Sequence, residues 1–221
     1  NDAADRSSPT QIPGTTWVDA QVGFYHSVAV KSDGSLWTWG AWNKGQLGYG
    51  TGADMSSPIQ VGTDTDWATT EGKLSGGQYS CRVIKANGTL WTWGSNTYGG
   101  LGQNNRTEYS SPRQVGLNQS GSNAKRSSPT QVPGTTWSTW AGMNNSAMAI
   151  KTDGTMWGMG ANAYGQLGLN SQGSWSDGIS SPTQVGTDTT WSKVALSDYT
   201  VVASKTDGTF WTWGWSKQGA I

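Results

Sequence analysis

One histidine and one cysteine stand among the 221 residues, and these two scarcities exclude much chemistry. A structural zinc site needs about four Cys or His ligands, which this chain cannot supply. A catalytic triad or a Cys-His pair would have to be built around His26 alone, and no Gly-x-Ser-x-Gly elbow accompanies it. A single thiol, Cys81, permits no intramolecular disulfide framework and is expected as a small buried residue within a strand. Charge is sparse, 13% of residues, and balanced at 14 basic against 14 acidic with no run of either sign. That excludes the clustered basic face of a nucleic-acid or anionic-membrane binder. No stretch of 18 apolar residues occurs, so no membrane insertion is expected. Nucleotide-binding glycine signatures are missing too, and Asp33, Asp153 and Asp207 each precede a turn glycine without an EF-hand pattern around them. The expectation is a chain that is not an enzyme, holds no metal or cofactor and takes no small-molecule ligand.

What the chain has in quantity is glycine, 32 residues, and tryptophan, 15. Both recur in phase. One phrase appears four times: Lys31 to Gly40 (KSDGSLWTWG), Lys85 to Gly94 (KANGTLWTWG), Lys151 to Gly160 (KTDGTMWGMG) and Lys205 to Gly214 (KTDGTFWTWG). Its turn glycines, Gly34, Gly88, Gly154 and Gly208, are 54, 66 and 54 residues apart. A fixed period of this size marks a repeat protein whose units bury their apolar faces only against neighbours. Asp-Gly or Asn-Gly between alternating runs predicts a β-hairpin, with a type I′ turn as the simplest geometry.

The unit reads from a Ser-Ser-Pro turn, through a lone Trp and a short apolar strand, to the hairpin and then a glycine-rich corner. The first copy runs Ser7-Ser8-Pro9, Trp17, Val28 to Val30, Gly34, Trp37 and Gly45 to Gly48. The reading makes residues 1–221 a single repeat array, cut within a repeat at both ends. Gln103 to Arg126 is read as an inserted loop carrying an extra Ser-Ser-Pro-Arg-Gln-Val-Gly copy, which accounts for the 66-residue spacing. A chain that opens on Asn1 and not on Met is expected to be a processed or cut product, so a removed targeting segment stays open.

This spelling resembles the regulator-of-chromosome-condensation repeat family. The residues that carry the resemblance are the D-G-x-L-W-x-W-G hairpin, the corner from Gly160 to Gly168, the S-S-P-x-Q-V segments and the strand from His26 to Val30. The tryptophan-rich hairpins look more like bacterial or viral members. The resemblance implies an all-β fold, a β-propeller of four repeats with four-stranded blades. It is either a closed four-unit ring or an arc of a larger, possibly seven-bladed propeller. In-phase ends point to the ring and family precedent to the arc. Departures are visible: the family's His is matched by His26 but is read as Tyr79, Asn145 and Tyr199 in the later units.

Repeating tryptophans such as Trp37, Trp91, Trp157 and Trp211 are what packing between units requires. Candidate contact residues are those outside the pattern: Trp42 and Trp215 after the W-G corner, Tyr98 and Tyr164 two residues further on, Trp175 in a polar loop, and Arg113. Aromatic and Arg anchors dominate protein interfaces. The expected function is a non-catalytic module for protein or surface binding, or a structural component of an assembly, with a protein partner or assembly neighbours. Neutral charge and Ser-, Thr- and Asn-rich loops suggest an extracellular, cell-surface or virion setting. The alternative implied by the resemblance is a regulator of an enzyme, since family members include a nucleotide-exchange factor and a β-lactamase inhibitor.

Overall fold

The fold is that of a computed structural model, which describes residues 7–50, 52–103, 105–114, 136–143, 145–174, 178–197 and 199–216. Among the described residues fifteen strands fall into four sheets, and every neighbouring pair is antiparallel. Blade A is β1 (Trp17–Val22), β2 (His26–Lys31), β3 (Leu36–Gly40) and β4 (Met55–Gln60). Blade B is β5 (Leu74–Gly76), β6 (Ser80–Ile84), β7 (Leu90–Gly94) and β8 (Tyr109–Gln114). Blade C is β9 (Trp137–Met143), β10 (Ser146–Lys151), β11 (Met156–Gly160) and β12 (Ile179–Gln184). Blade D contains β13 (Trp191–Leu196), β14 (Thr200–Lys205) and β15 (Phe210–Gly214), with no fourth strand among the described residues. First strands pack on first strands, β1 on β5, β5 on β9 and β9 on β13, so they line the axis. The Ser-Ser-Pro strands form the rim.

This order corrects the phase of the repeat. Ser-Ser-Pro does not open a unit; it is the last strand of the blade before, as in β4, β8 and β12. A proline is tolerated there because an outermost strand needs ladder donors on one side only. The same shift bears on the segment read as an inserted loop from Gln103 to Arg126. Its residues 109–114 are β8, paired Trp91↔Gln114 and Thr92↔Arg113, and are therefore blade and not loop. Gln103 is itself buried and donates from Nε2 to the carbonyls of Arg113 and Gln114. Residues 115–126 lie outside the described residues.

The hairpin turn also differs from type I′. Gly34 N donates to the Lys31 carbonyl at 2.9 Å and Lys31 N to the Ser35 carbonyl at 3.0 Å. Only the glycine has positive φ, +77° at Gly34 and +78° at Gly154. This is a type I turn closed by a left-handed glycine and a bulge, which leaves Asp33 in an ordinary conformation. Asp33 Oδ1 is free to accept from both Ser35 N and Ser35 Oγ, and Ser35 Oγ then accepts from Trp37 Nε1 at 2.8 Å. The relay recurs at Asn87–Thr89–Trp91, Asp153–Thr155–Trp157 and Asp207–Thr209–Trp211. In each blade the lysine that opens the phrase sits between two indoles. Lys31 Nζ is 3.8 Å from the Trp37 ring and 4.8 Å from Trp17, and Lys85, Lys151 and Lys205 repeat the arrangement. A repeat-long cation–π clamp thus ties the first strand to the hairpin.

The core lies between blades. Val28, Val30 and Leu36 of blade A meet Leu74, Val83 and Trp93 of blade B. Ile84 and Leu90 of B meet Trp137, Trp140 and Met159 of C, and Met148, Ile150 and Leu167 of C meet Val201 and Ala203 of D. Each fully buried Leu, Ile or Met contributes roughly 1.5–3 kcal/mol relative to exposure, and no blade could collect this alone. Hydrogen bonds cross the same seams: Trp93 Nε1 donates to the Gln46 carbonyl at 2.9 Å and Trp213 Nε1 to the Gln166 carbonyl at 3.0 Å.

Candidate functional site

Antiparallel alternation puts all Asp-Gly turns on one face of the array and all first-to-second strand turns and glycine corners on the other. The second face collects the irregular aromatics. Phe24 and Tyr25, before β2, and Tyr79, before β6, form a cluster with ring centroids 4.7 to 6.5 Å apart. Phe24 is 62% exposed and Tyr25 56%. A second cluster joins Tyr164 of the blade C corner to Tyr199 and Trp215 of blade D, with centroids 5.1, 5.2 and 5.5 Å apart.

Of the candidates read from sequence, Tyr164 and Trp215 are thus brought together, and Trp215 is exposed. Trp42 does not join them. Its backbone N–H donates to Asp54 Oδ1 at 2.9 Å and its ring covers Gly52, so it closes its own corner. Tyr98 packs its backbone against Gly178 at the rim of blade C. Arg113 corrects the expectation of a surface anchor: it is a β8 residue 4% exposed, with its guanidinium 4.9 Å from the Tyr109 ring. A residue flanked by a ladder partner and a buried Gln114 has little surface to offer. Trp175 lies outside the described residues.

Sequence reasoning missed Phe24 and Tyr25 and misplaced Tyr79 and Tyr199. Register shows why. His26 pairs with Gly40, and its counterparts are Ser80, Ser146 and Thr200, not Tyr79, Asn145 and Tyr199. The latter align with Tyr25, one residue earlier, whose carbonyl accepts from Ala41 N as those of Tyr79, Asn145 and Tyr199 accept from Ser95, Ala161 and Trp215 N. Counting back from the strand's lysine would have found this: His26 stands five positions before Lys31, as Ser80 does before Lys85. The position places an aromatic on this face in three blades of four.

His26 Nε2 lies 3.0 Å from Cys81 Sγ, across the seam between blades A and B. The distance suits a nucleophile and its base, but the environment opposes that use. Burial lowers the imidazole to about 4 and the nearby Arg82 charge pushes the same way, while burial raises the thiol. Both groups are held neutral, the thiol is fully buried, and neither reaches solvent as a thiolate–imidazolium pair would need to. No cluster of three or more His, Cys, Asp or Glu able to hold a metal occurs among the described residues. No helix there is long and apolar enough to cross a membrane.

Comparison with known proteins agrees with the blade geometry. The regulator of chromosome condensation (RCC1) repeat model matches residues 33–70, 87–140 and 153–204, and a second model of the same repeat matches 17–46. The ultraviolet-B receptor UVR8 of Arabidopsis thaliana is 27% identical over all of this chain and 47% of its own length. The RCC2 homolog of Danio rerio is 30% identical over 67% of this chain and 27% of its own. Among solved structures, Prp20p of Saccharomyces cerevisiae superposes with a TM-score of 0.76 at 17% identity, covering 98% of this chain and 50% of Prp20p. Human WBSCR16 gives 0.72 at 17% identity, over 95% and 51%. The chain therefore spans about half the length of UVR8, Prp20p and WBSCR16 and about a quarter of the RCC2 homolog, and it belongs to the RCC1 repeat family.

Proposed function

We propose that this chain is a non-catalytic, protein-binding module whose contact surface is the aromatic corner face. The observation that carries the reading is the pair of partly exposed aromatic clusters, Phe24–Tyr25–Tyr79 and Tyr164–Tyr199–Trp215, on that one face. Packing has already used the repeating tryptophans, whereas these rings offer area to a partner at little entropic cost. Relatives support the class of function: the structure of Prp20p is described together with its binding to Gsp1p and histones, and a second structure holds it with Kap60. The buried, neutral state of His26 and Cys81 supports a role without turnover. Balanced charge and Ser-, Thr- and Asn-rich loops support an extracellular, cell-surface or virion setting, which fractionation of the source with an antibody to the chain would check.

The binding reading is tested with the immobilised full chain against proteins from its source. Tyr25→Ala and Trp215→Ala should each weaken retention of a captured partner at least tenfold. Thr63→Ala and Thr187→Ala, exposed on the opposite face, should leave it unchanged. Equal losses from both faces would sink the assignment of the surface.

A further inference from the structure

Blade B breaks the repeat at two places that meet. Its corner reads Gly99-Gly100-Leu101 where blades A and C have Gly45-Gln46-Leu47 and Gly165-Gln166-Leu167. Its second strand carries Arg82 where the others carry Val28, Met148 and Val202. In space the two changes are one exchange. Gln46 and Gln166 are fully buried, and each Oε1 accepts from a corner amide, Lys44 N at 2.8 Å and Tyr164 N at 2.9 Å. Gln166 Nε2 also reaches Ser146 Oγ at 3.4 Å. In blade B, Arg82 Nη2 stands 3.5 Å from the Cβ position of Gly100, so the guanidinium takes over the room of the missing carboxamide. A carboxamide both donates and accepts, whereas a guanidinium only donates.

The exchange leaves donors in surplus. Ser80 and Arg82, two residues apart on β6, share the face that Ile84 turns to blade C, and each is 1% exposed. Arg82 Nε and Nη1 and Ser80 Oγ have no hydrogen-bond partner among the described residues. The counterparts of Ser80 are satisfied: Ser146 Oγ donates to the Ala161 carbonyl at 2.8 Å and Thr200 Oγ1 to the Trp215 carbonyl at 3.1 Å. Ser80 makes no such bond to Ser95. The Cβ position of Gly77 lies 2.7 Å from both Ser80 Oγ and Arg82 Nη1, and that of Gly142 lies 2.8 Å from Nη1. Neither glycine has positive φ, so what glycine supplies at both is room where these donors converge. No carboxylate pairs with Arg82 among the described residues. A water would accept such bonds but bring no charge, and a cation this deep without a counter-charge is strongly disfavoured. We propose that the seam between blades B and C binds a small monovalent anion, a halide or a single carboxylate, through Arg82 and Ser80 beneath the corner face. One guanidinium balances one negative charge, and donors this deeply buried suit a free ion over a group carried on a partner's side chain. The anion ties β6 to β9, since the same guanidinium lies 4.8 Å from the Trp140 ring.

The experiment melts the full chain in sodium chloride, in sodium formate and in sodium methanesulfonate, whose anion is too bulky for the site, at equal ionic strength. Chloride or formate should raise the midpoint along a saturating curve by about 2–4 °C over methanesulfonate, as a ligand of the folded state does. A general salt effect would instead keep growing with concentration. Arg82→Met should stay folded, melt above the parent in methanesulfonate and lose the saturating response. Ser80→Ala should keep the fold and weaken the apparent anion affinity about tenfold, the loss of one charge-assisted hydrogen bond. If formate saturates the response and chloride does not, the occupant is a carboxylate and the site stands; the reverse names a halide. A midpoint that follows ionic strength alone, whichever salt supplies it, overturns the proposal. So does a saturating response that Arg82→Met retains, which would put the anion elsewhere.

Discussion

At the scale of single residues, the two scarce side chains turn out to be neighbours, and their pairing has a pH signature. His26 folds as a neutral base with its pKa lowered to about 4, while in the unfolded chain it titrates near 6.5. The unfolded state therefore takes up a proton that the folded state refuses, so stability is complete above about 6.5 and is lost as pH falls toward about 4. The most this can reach is a few kcal/mol, at about 1.4 kcal/mol per pKa unit. Replacing His26 with serine, the residue at that place in blades B and C, should flatten the fall in denaturation midpoint between pH 6.5 and 5. An unchanged slope would mean that another group governs it. The sequence made His26 conspicuous and could not pair it, because Cys81 lies 55 positions away across a blade seam. The hydroxyl relay was hidden for the opposite reason: serine and threonine in a turn look ordinary until Trp37 or Trp157 Nε1 is seen resting on them. In a double-mutant cycle, Thr155→Val and Trp157→Phe should show a coupling of about 1 kcal/mol, the worth of one partly buried hydrogen bond. Additive losses would dismiss the relay.

At the scale of the strand, repeats allow one blade to serve as a control for another. The residue opposite the third strand's centre is Val28 in β2, Met148 in β10 and Val202 in β14, but Arg82 in β6. Arg82 is 1% exposed; its Nη2 donates to the Gly100 carbonyl at 3.3 Å, and the guanidinium lies 4.8 Å from the Trp140 ring. Nε and Nη1 have no partner among the described residues, and burial lowers its pKa to about 10. A buried charge so weakly satisfied costs more in desolvation than it returns. Arg82→Met should therefore raise the stability of the chain by about 1 kcal/mol in chemical denaturation. A loss of more than that would mean that the guanidinium is better satisfied than its geometry indicates. Strand existence was legible from alternation and from the Asp-Gly signal, while strand membership was not. Ser-Ser-Pro precedes a lone tryptophan in sequence and so looks like the start of a unit. Only the ladder Trp157↔Gln184 shows that it ends the blade behind it. The turn type was misread in the same way: the glycine is demanded by either geometry, and the choice rests on Asp33, whose side chain binds Ser35.

At the scale of the whole molecule, the four-unit propeller array was legible because the period repeats, and the aromatic face was not, because it depends on which turns share a side of the blades. Local period says that Tyr164 and Tyr199 are irregular; only the stacking of blade C on blade D brings their rings to 5.1 Å. The same stacking makes stability uneven along the array. In blade B both central strands are buried throughout, and in blade C nearly so, since each has a neighbour on either side. Among the described residues blade D packs on blade C alone, and Phe210 and Trp211 of β15 are 79% and 50% exposed. In a repeat array the free energy of opening a unit is its own term plus those of the interfaces it makes, so the unit with the fewest buried interfaces opens first. Amide hydrogen exchange on dilute chain should find β6, β7, β10 and β11 exchanging only through global unfolding, and β14 and β15 far sooner, at least a hundredfold. If instead all four blades exchange at one rate, the array opens as a single cooperative unit, and the hierarchy of blades does not describe the chain in solution.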